Sequence, residues 1–258
     1  MRLAIGQAPS PAGDEAAAWA AGERTLRAAA AAGADMAVMP ELFLPGYNHP
    51  DIARLAQPAD GAWVSALCDL VRKSGCGLTI GFAERDGAQI FNSAMTIGAD
   101  GAVHAVYRKI QLYGPREMTL FTPGDRYAIF DLGGYRVAVL ICYDVEFSGH
   151  IRALALQGVN LILVPTANME PYTYVMDHIV PAMAVTHGVA IAYANLCGAE
   201  GDLVYCGGSL VAGQDGAVLA QAGKGAAVFC VDLPSPANPA DLAGHLHDYR
   251  AIRANDPS

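Results

Sequence analysis

The chain is short of charge: Asp, Glu, Lys and Arg make up only 16% of its 258 residues, against 53% hydrophobic ones. Of the charges present, 25 are acidic and 16 basic, a formal balance of −9. A nucleic-acid binder needs a basic face to meet phosphates, so no nucleic acid is expected as a partner. Long apolar runs are also missing. The longest reach about ten residues, well under the ~20 that a membrane-spanning helix needs, so no membrane partner is expected. Met1-Arg2 leads directly into Leu3-Ala4-Ile5, with no leader-like apolar segment behind it. The six cysteines, Cys68, Cys76, Cys142, Cys197, Cys206 and Cys230, form no CxxC pair and no finger-like spacing. Several sit in apolar runs, where cysteine behaves as a small buried hydrophobe. A reduced, cytoplasmic protein is the expectation. Phosphate-cradling glycine motifs are absent as well. His245 and His247 alternate near the C-terminal end but make a poor metal pair, and neither metal nor cofactor is expected.

What remains is one domain's worth of alternating apolar segments, 1–258 without repeat or linker. Leu3 to Gln7 reads as a first strand. The alanine-rich stretch from Asp14 to Ala32, stopped by Gly33, reads as a helix with a glycine at its C-terminal end. Met36 to Met39 is a buried-strand run stopped by Pro40. Trp63 to Lys73 reads as a second helix, followed by strand Leu78 to Phe82. Ser93–Gly98 and Ala102–Tyr107 are joined through Asp100-Gly101, the dipeptide of a type I′ hairpin. Strand Arg136 to Ile141 stops at Cys142. Helix 149–157, strand 161–164, helix 173–186 and strand 189–194 follow, then β segments at 209–211, 218–220 and 228–231. Strands alternating with helices, plus hairpins, predict an α/β protein with one mixed sheet or two.

Three reactive side chains stand where apolar strands end: Glu41, Lys109 and Cys142. Strand ends border the binding crevice in α/β folds, so an acid, an amine and a thiol could meet there. Taken singly, each also fits a blander role, as a solvated turn acid, a surface lysine and an inert core cysteine.

The words around them decide the matter. Met39-Pro40-Glu41-Leu42-Phe43-Leu44-Pro45-Gly46-Tyr47 resembles the PELF-x-x-GY segment of the nitrilase (carbon–nitrogen hydrolase) superfamily. Tyr107-Arg108-Lys109-Ile110-Gln111-Leu112-Tyr113 resembles its YRK-x-HLF segment, and Leu140-Ile141-Cys142-Tyr143-Asp144-Val145-Glu146-Phe147 its ICYD-x-x-FPE segment. Glu117, ahead of Phe121 and Gly124, resembles the family's second glutamate. The resemblance runs over nearly the whole chain and implies a four-layer αββα sandwich. It implies Cys142 as nucleophile and Glu41 as its base. Lys109 and the Tyr143 backbone N–H would hold the oxyanion, with Glu117 orienting Lys109 and the substrate nitrogen. It further implies a homodimer or larger even assembly, with the tail 234–258 reaching toward a partner.

Tyr143-Asp144 after the nucleophile is the amidase-like form, where nitrilases of the superfamily carry Trp-Glu, and no carbamoylase-like CNDRRW segment is present. The expected reaction is hydrolysis of a small or medium, largely uncharged carboxamide to acid and ammonia through a Cys142 thioester. A nitrilase, an N-carbamoyl hydrolase and a catalytically silent small-molecule- or partner-binding member are the alternatives. Tyr113, Tyr143, Glu146, Asn168 and Tyr172 are candidate pocket walls. Two departures stand out. Ser148-Gly149 replaces the family's Pro-Glu, with Ser148 a candidate cap for the next helix. Gln111 replaces a histidine, keeping hydrogen bonding but not charge.

Overall fold

The computed structural model describes residues 1–250. In its first half, strand β1 (Arg2–Pro9) leads to helix α1 (Glu15–Ala31), β2 (Met36–Val38), the short α2 (Ile52–Leu55) and α3 (Ala62–Ser74). The meander β3 (Gly77–Asp86), β4 (Gln89–Ile97) and β5 (Val103–Arg108) and the helix α4 (Gly114–Leu120) follow. The second half runs β6 (Ala128–Leu132), β7 (Tyr135–Val139), a 3₁₀ turn (Cys142–Glu146), α5 (Ser148–Ala155) and β8 (Leu161–Thr166). A π turn (Val175–Ile179) then enters α6 (Val180–His187), followed by β9 (Ala190–Glu200), β10 (Leu203–Cys206), β11 (Leu210–Ala212), β12 (Val218–Gln221), β13 (Ala227–Asp232) and α7 (His245–Asp248).

Pairing sorts the strands into two halves of similar design. One runs β13-β1-β2-β3-β4-β5, the other β12-β11-β9-β8-β7-β6. Each has three parallel strands at its centre and antiparallel strands outside them. Among the described residues, strands of the two halves pair where the end of β1 meets β9, Ala8 opposite Leu196 and Pro9 opposite Cys197. Period-two alternation then builds the layers. Leu3, Ile5, Met36 and Val38 pack against Val137, Leu161, Leu163 and Val211 between the sheets. Their neighbours Ala4 and Ala37 face the other way, onto Leu26 of α1 and Val64, Leu67 and Val71 of α3. On the second sheet Ile162, Val164 and Ile191 turn outward to Ile151 and Leu154 of α5 and Val180 and Ala184 of α6. The result is helix, sheet, sheet, helix: the αββα sandwich.

Local signals account for the element ends. The Asp14 carboxylate caps α1 by accepting from the Ala17 N–H at 2.9 Å. Gly33 follows the helix at φ +68°, and Gly75 closes α3 at φ +71°.

Three expectations need correction. The link between β4 and β5 is not a type I′ turn, because only Gly101 takes a positive φ (+79°) and Asp100 does not. Gly98 N–H instead reaches the Ala102 carbonyl across a three-residue loop, and Asp100 Oδ1 accepts from the Ala102 N–H. Ser148 does not cap α5: its hydroxyl is engaged with His187 Nε2 at 3.2 Å, and Phe147 occupies the cap position. The helix expected over 173–186 begins as the π turn rather than as regular α-helix. Among the described residues, no helix is long and apolar enough to cross a membrane. His245 and His247 both lie in α7, and the final part of the 234–258 tail, 251–258, lies outside the described residues.

Candidate active site

The site forms where the ends of β2, β5 and β7 meet, so both sheets contribute. Glycine makes two of the approaches possible. A Cβ on Gly81 of β3 would lie 2.5 Å from Glu41 Cα, so the loop carrying Glu41 rests directly on bare backbone. A Cβ on Gly124 would stand against the Arg108 carbonyl, and the Gly124 N–H donates to the Lys109 carbonyl at 2.8 Å. These contacts fix the backbones of the acid and the amine before their side chains are considered.

Glu41, Lys109 and Glu117 are all buried, 0–1% exposed. Lys109 Nζ donates to Glu41 Oε1 at 2.7 Å and to Glu117 Oε1 at 2.9 Å. An ammonium has three donors, so one N–H of Lys109 remains for another acceptor. The two carboxylates differ in what they have left. Glu117 has both oxygens engaged: Oε1 also accepts from the Tyr47 hydroxyl at 2.7 Å, and Oε2 accepts from the Tyr113 N–H at 3.0 Å. Glu41 Oε1 accepts from Asn92 Nδ2 at 2.7 Å as well as from Lys109. Its Oε2 is buried with no hydrogen-bond partner. A buried, unpartnered carboxylate oxygen costs about 1–3 kcal/mol, and such exceptions need a reason.

Charge balance shapes the proton affinities. Burial raises the Glu41 pKa; Lys109 opposes the rise and Glu117 adds to it. For Lys109, burial favours the neutral amine, but the carboxylates of Glu117 and Glu41 outweigh it and hold the ammonium well above the ordinary lysine range. Burial also pushes the Cys142 thiol well up, Glu41 pushes it further, and Lys109 works the other way. Burial and the Glu41 charge thus favour the neutral Cys142 thiol over a preformed thiolate.

Cys142 leaves the end of β7 with φ +45°, a left-handed conformation that a non-glycine residue adopts at a cost of about 1–3 kcal/mol. Asp144 holds the bend. Its buried carboxylate accepts from the Ile141 N–H at 3.0 Å, the Gln111 N–H at 2.7 Å and the Tyr107 hydroxyl at 2.8 Å. The Asp144 network thereby links the nucleophile's turn to the segment that follows Lys109. The Tyr143 N–H, at the start of the 3₁₀ turn, donates to no protein acceptor among the described residues.

A cavity of about 160 Å³ opens over Cys142, and its walls include Tyr113, Tyr143, Glu146, Asn168 and Tyr172, all five of the wall residues expected from sequence. Tyr47, Met169 and Tyr174 complete the lining. Asn168 Nδ2 is occupied by the Tyr172 carbonyl at 2.9 Å. Larger hollows of about 550 and 530 Å³ lie elsewhere, but neither is lined by a cysteine, so size alone would pick the wrong place. The Gln111 side chain points away from this chemistry, pairing with His150 Nε2 at 3.0 Å.

Sequence reasoning passed over two contributors. Asn92 sits inside the apolar run of β4, where an amide needs a buried partner; that misfit was the available signal. Tyr47 lay within the glutamate segment, but only the fold brings its hydroxyl to Glu117, 70 positions away.

This arrangement of thiol, amine and two acids at the crest of an αββα sandwich defines a cysteine-dependent hydrolase. Residues 2–237 match the carbon–nitrogen hydrolase family, and the chain belongs to it. A (R)-stereoselective amidase of Pseudomonas sp. is 35% identical over 214 residues, 81% of this chain and 77% of that protein. A nitrilase of Pyrococcus abyssi is 35% identical over 207 residues, 78% and 77% of the two. The solved amidase of Nesterenkonia sp. AN1 superposes with a TM-score of 0.88 at 36% identity, covering 97% of this chain and 96% of that one. Variants of that amidase carry the acetamide moiety of fluoroacetamide covalently on the active-site cysteine, or hold butyramide. The chain is a carbon–nitrogen hydrolase with amidase and nitrilase relatives.

Proposed function

We propose that this chain is an amidase that converts a small or medium carboxamide to carboxylic acid and ammonia through a thioester on Cys142. The observation that carries the reading is the asymmetry of the carboxylates. Both oxygens of Glu117 are hydrogen-bonded, with one acceptor site left on Oε2 for a substrate N–H, whereas Glu41 keeps one whole buried oxygen without a partner, close enough to Cys142 to act on its thiol through charge. Glu41 Oε2 takes the thiol proton as Sγ attacks the amide carbon. The oxyanion that forms is held by the spare Lys109 N–H and the Tyr143 N–H. Glu41 then gives its proton to the nitrogen, the C–N bond breaks and ammonia leaves. Water, deprotonated by Glu41, attacks the thioester, and collapse of the second oxyanion releases the acid and returns the proton to Cys142. Glu117 acts by positioning Lys109 and orienting the substrate nitrogen.

The similarity to the Pyrococcus protein keeps a nitrile in the test. Ammonia release is followed from butyramide, propionamide and butyronitrile for the wild type and Cys142→Ala. The account expects ammonia from the amides in the wild type only. Turnover of the nitrile alone, or undiminished turnover in the variant, would overturn it; a silent binding protein would release none.

A cytoplasmic, even-numbered homo-oligomer is part of the same proposal, with the segment from Pro234 onward reaching toward the partner. Light scattering at micromolar concentration should return at least a dimer, and a monomer would refute that part.

A further inference from the structure

We infer that the substrate of this site is a carboxamide bearing a basic nitrogen, whose ammonium is received by Glu146 and the ring of tyrosines at the mouth. The inference rests on the amidase reading and names the substrate class within it. The aromatic wall residues expected from sequence, with few charges among them, point to a largely uncharged amide; the unpaired state of Glu146 in the cavity wall changes that.

Glu146 lines the cavity from the last position of the 3₁₀ turn that begins with Cys142, half-buried. Among the described residues its carboxylate makes no hydrogen bond to protein and no ion pair, unlike Glu41, Glu117 and Asp144 nearby. A half-buried carboxylate on a cavity wall, with no protein partner, is open to a cation carried by the substrate. Burial raises its pKa, and Lys109 only partly offsets this.

The walls point the same way. Tyr143 and Tyr113 meet edge to face at 5.3 Å between centroids, Tyr113 and Tyr172 at 6.2 Å, and Tyr172 and Tyr174 at 6.2 Å. Ring faces carry negative potential and attract ammonium groups within about 6 Å. No lysine, arginine or histidine lines the cavity. The Arg116 guanidinium, held by the Tyr47 and His49 carbonyls, stands 5.8 Å from the centroid of the Tyr47 ring. Glu41, Glu117 and Glu146 set three acids against the Lys109 ammonium and the Arg116 guanidinium, so the local balance still favours a cation over an anion.

The test compares amides of matched shape. Butyramide and pentanamide are paired with 3-aminopropanamide and 4-aminobutanamide, in which an ammonium replaces the terminal methyl; succinamate supplies the anion. The quantity read is the ratio of kcat/KM for each amine-bearing amide over its methyl counterpart, which cancels any general loss in a variant. In the wild type, at least one pair should favour the amine by about tenfold or more, with succinamate the poorest substrate. In Glu146→Gln, melting like the wild type, the ratio should fall toward one. Equal or better turnover of the methyl counterparts by the wild type would overturn the inference and leave the amidase reading standing. An unchanged ratio in Glu146→Gln would overturn the role of Glu146. No ammonia from any of the five would overturn the amidase reading and this inference with it.

Discussion

At the scale of single residues, the site works because its charges are unequally satisfied. Lys109 is gripped by two buried carboxylates, yet keeps one donor; Glu117 has both oxygens engaged, yet Glu41 has one without a partner. Two predictions belong here. Lys109→Ala leaves Glu41 and Glu117 buried without a counter-ion, and one of them must take up a proton. Base and oxyanion donor are lost together, so the drop in kcat should exceed the about 10²–10³ typical of one missing donor. Stopped-flow measurement of acyl-enzyme formation checks this, and a normal burst would contradict the assigned role. The second concerns pH. Glu41 must be ionised to receive the thiol proton, and burial raises its pKa above the ordinary 4.5. Its protonated form therefore persists to higher pH, and kcat/KM should rise with pH along an acid limb lying above 4.5. Full activity down to the ordinary carboxylate range would refute the assignment.

At the scale of elements, the site depends on how closely strands and loops approach. Gly81 sits in β3, two strands from β5, and touches no reacting group, but its missing Cβ lets the Glu41 loop lie on the sheet. Gly81→Ala should displace that loop and cost about 1–3 kcal/mol through overpacking. Activity should fall by more than the loss of folded protein explains, as thermal melting and kcat measured on the same preparation would reveal. Here the division between what sequence carries and what it hides becomes clear. Glu41, Lys109 and Cys142 stand out in the sequence because each ends an apolar run within a segment that resembles the family's, and the apolar runs Leu3-Ala4-Ile5 and Met36-Ala37-Val38-Met39 read as strands. The helix α4 that holds Glu117 has no counterpart among the elements read from sequence, since Gly114-Pro115-Arg116-Glu117 carries no apolar stripe. Asn92 and Tyr47 were hidden because their partners are 51 and 70 positions away, and only tertiary packing joins them. Ser148 looked like a cap because residue type suggests caps; the neighbouring His187 took its hydroxyl instead.

At the scale of the whole molecule, two sheets meet face to face, with one short strand pairing between them among the described residues, at β1 and β9. The inter-sheet layer, together with the Asp144 bonds to Tyr107 and Gln111, carries the relative placement of Cys142, from the second sheet, and Glu41 and Lys109, from the first. Leu163, fully buried between the sheets, is a direct probe of that layer. Leu163→Ala should cost about 2–5 kcal/mol in chemical denaturation. A cost under 1 kcal/mol would show that the sheets do not depend on this contact.

The central claim is that one of six cysteines forms an acyl-enzyme with an amide. The most direct measurement is peptide mapping by mass spectrometry on enzyme acid-quenched during turnover of butyramide, read for an adduct of butyryl mass, with intact mass and ammonia release measured in parallel. The account predicts a single adduct, on the peptide containing Cys142, absent from Cys142→Ala and absent from Cys68, Cys76, Cys197, Cys206 and Cys230. An adduct on another cysteine, or amide turnover that survives in Cys142→Ala, would contradict it.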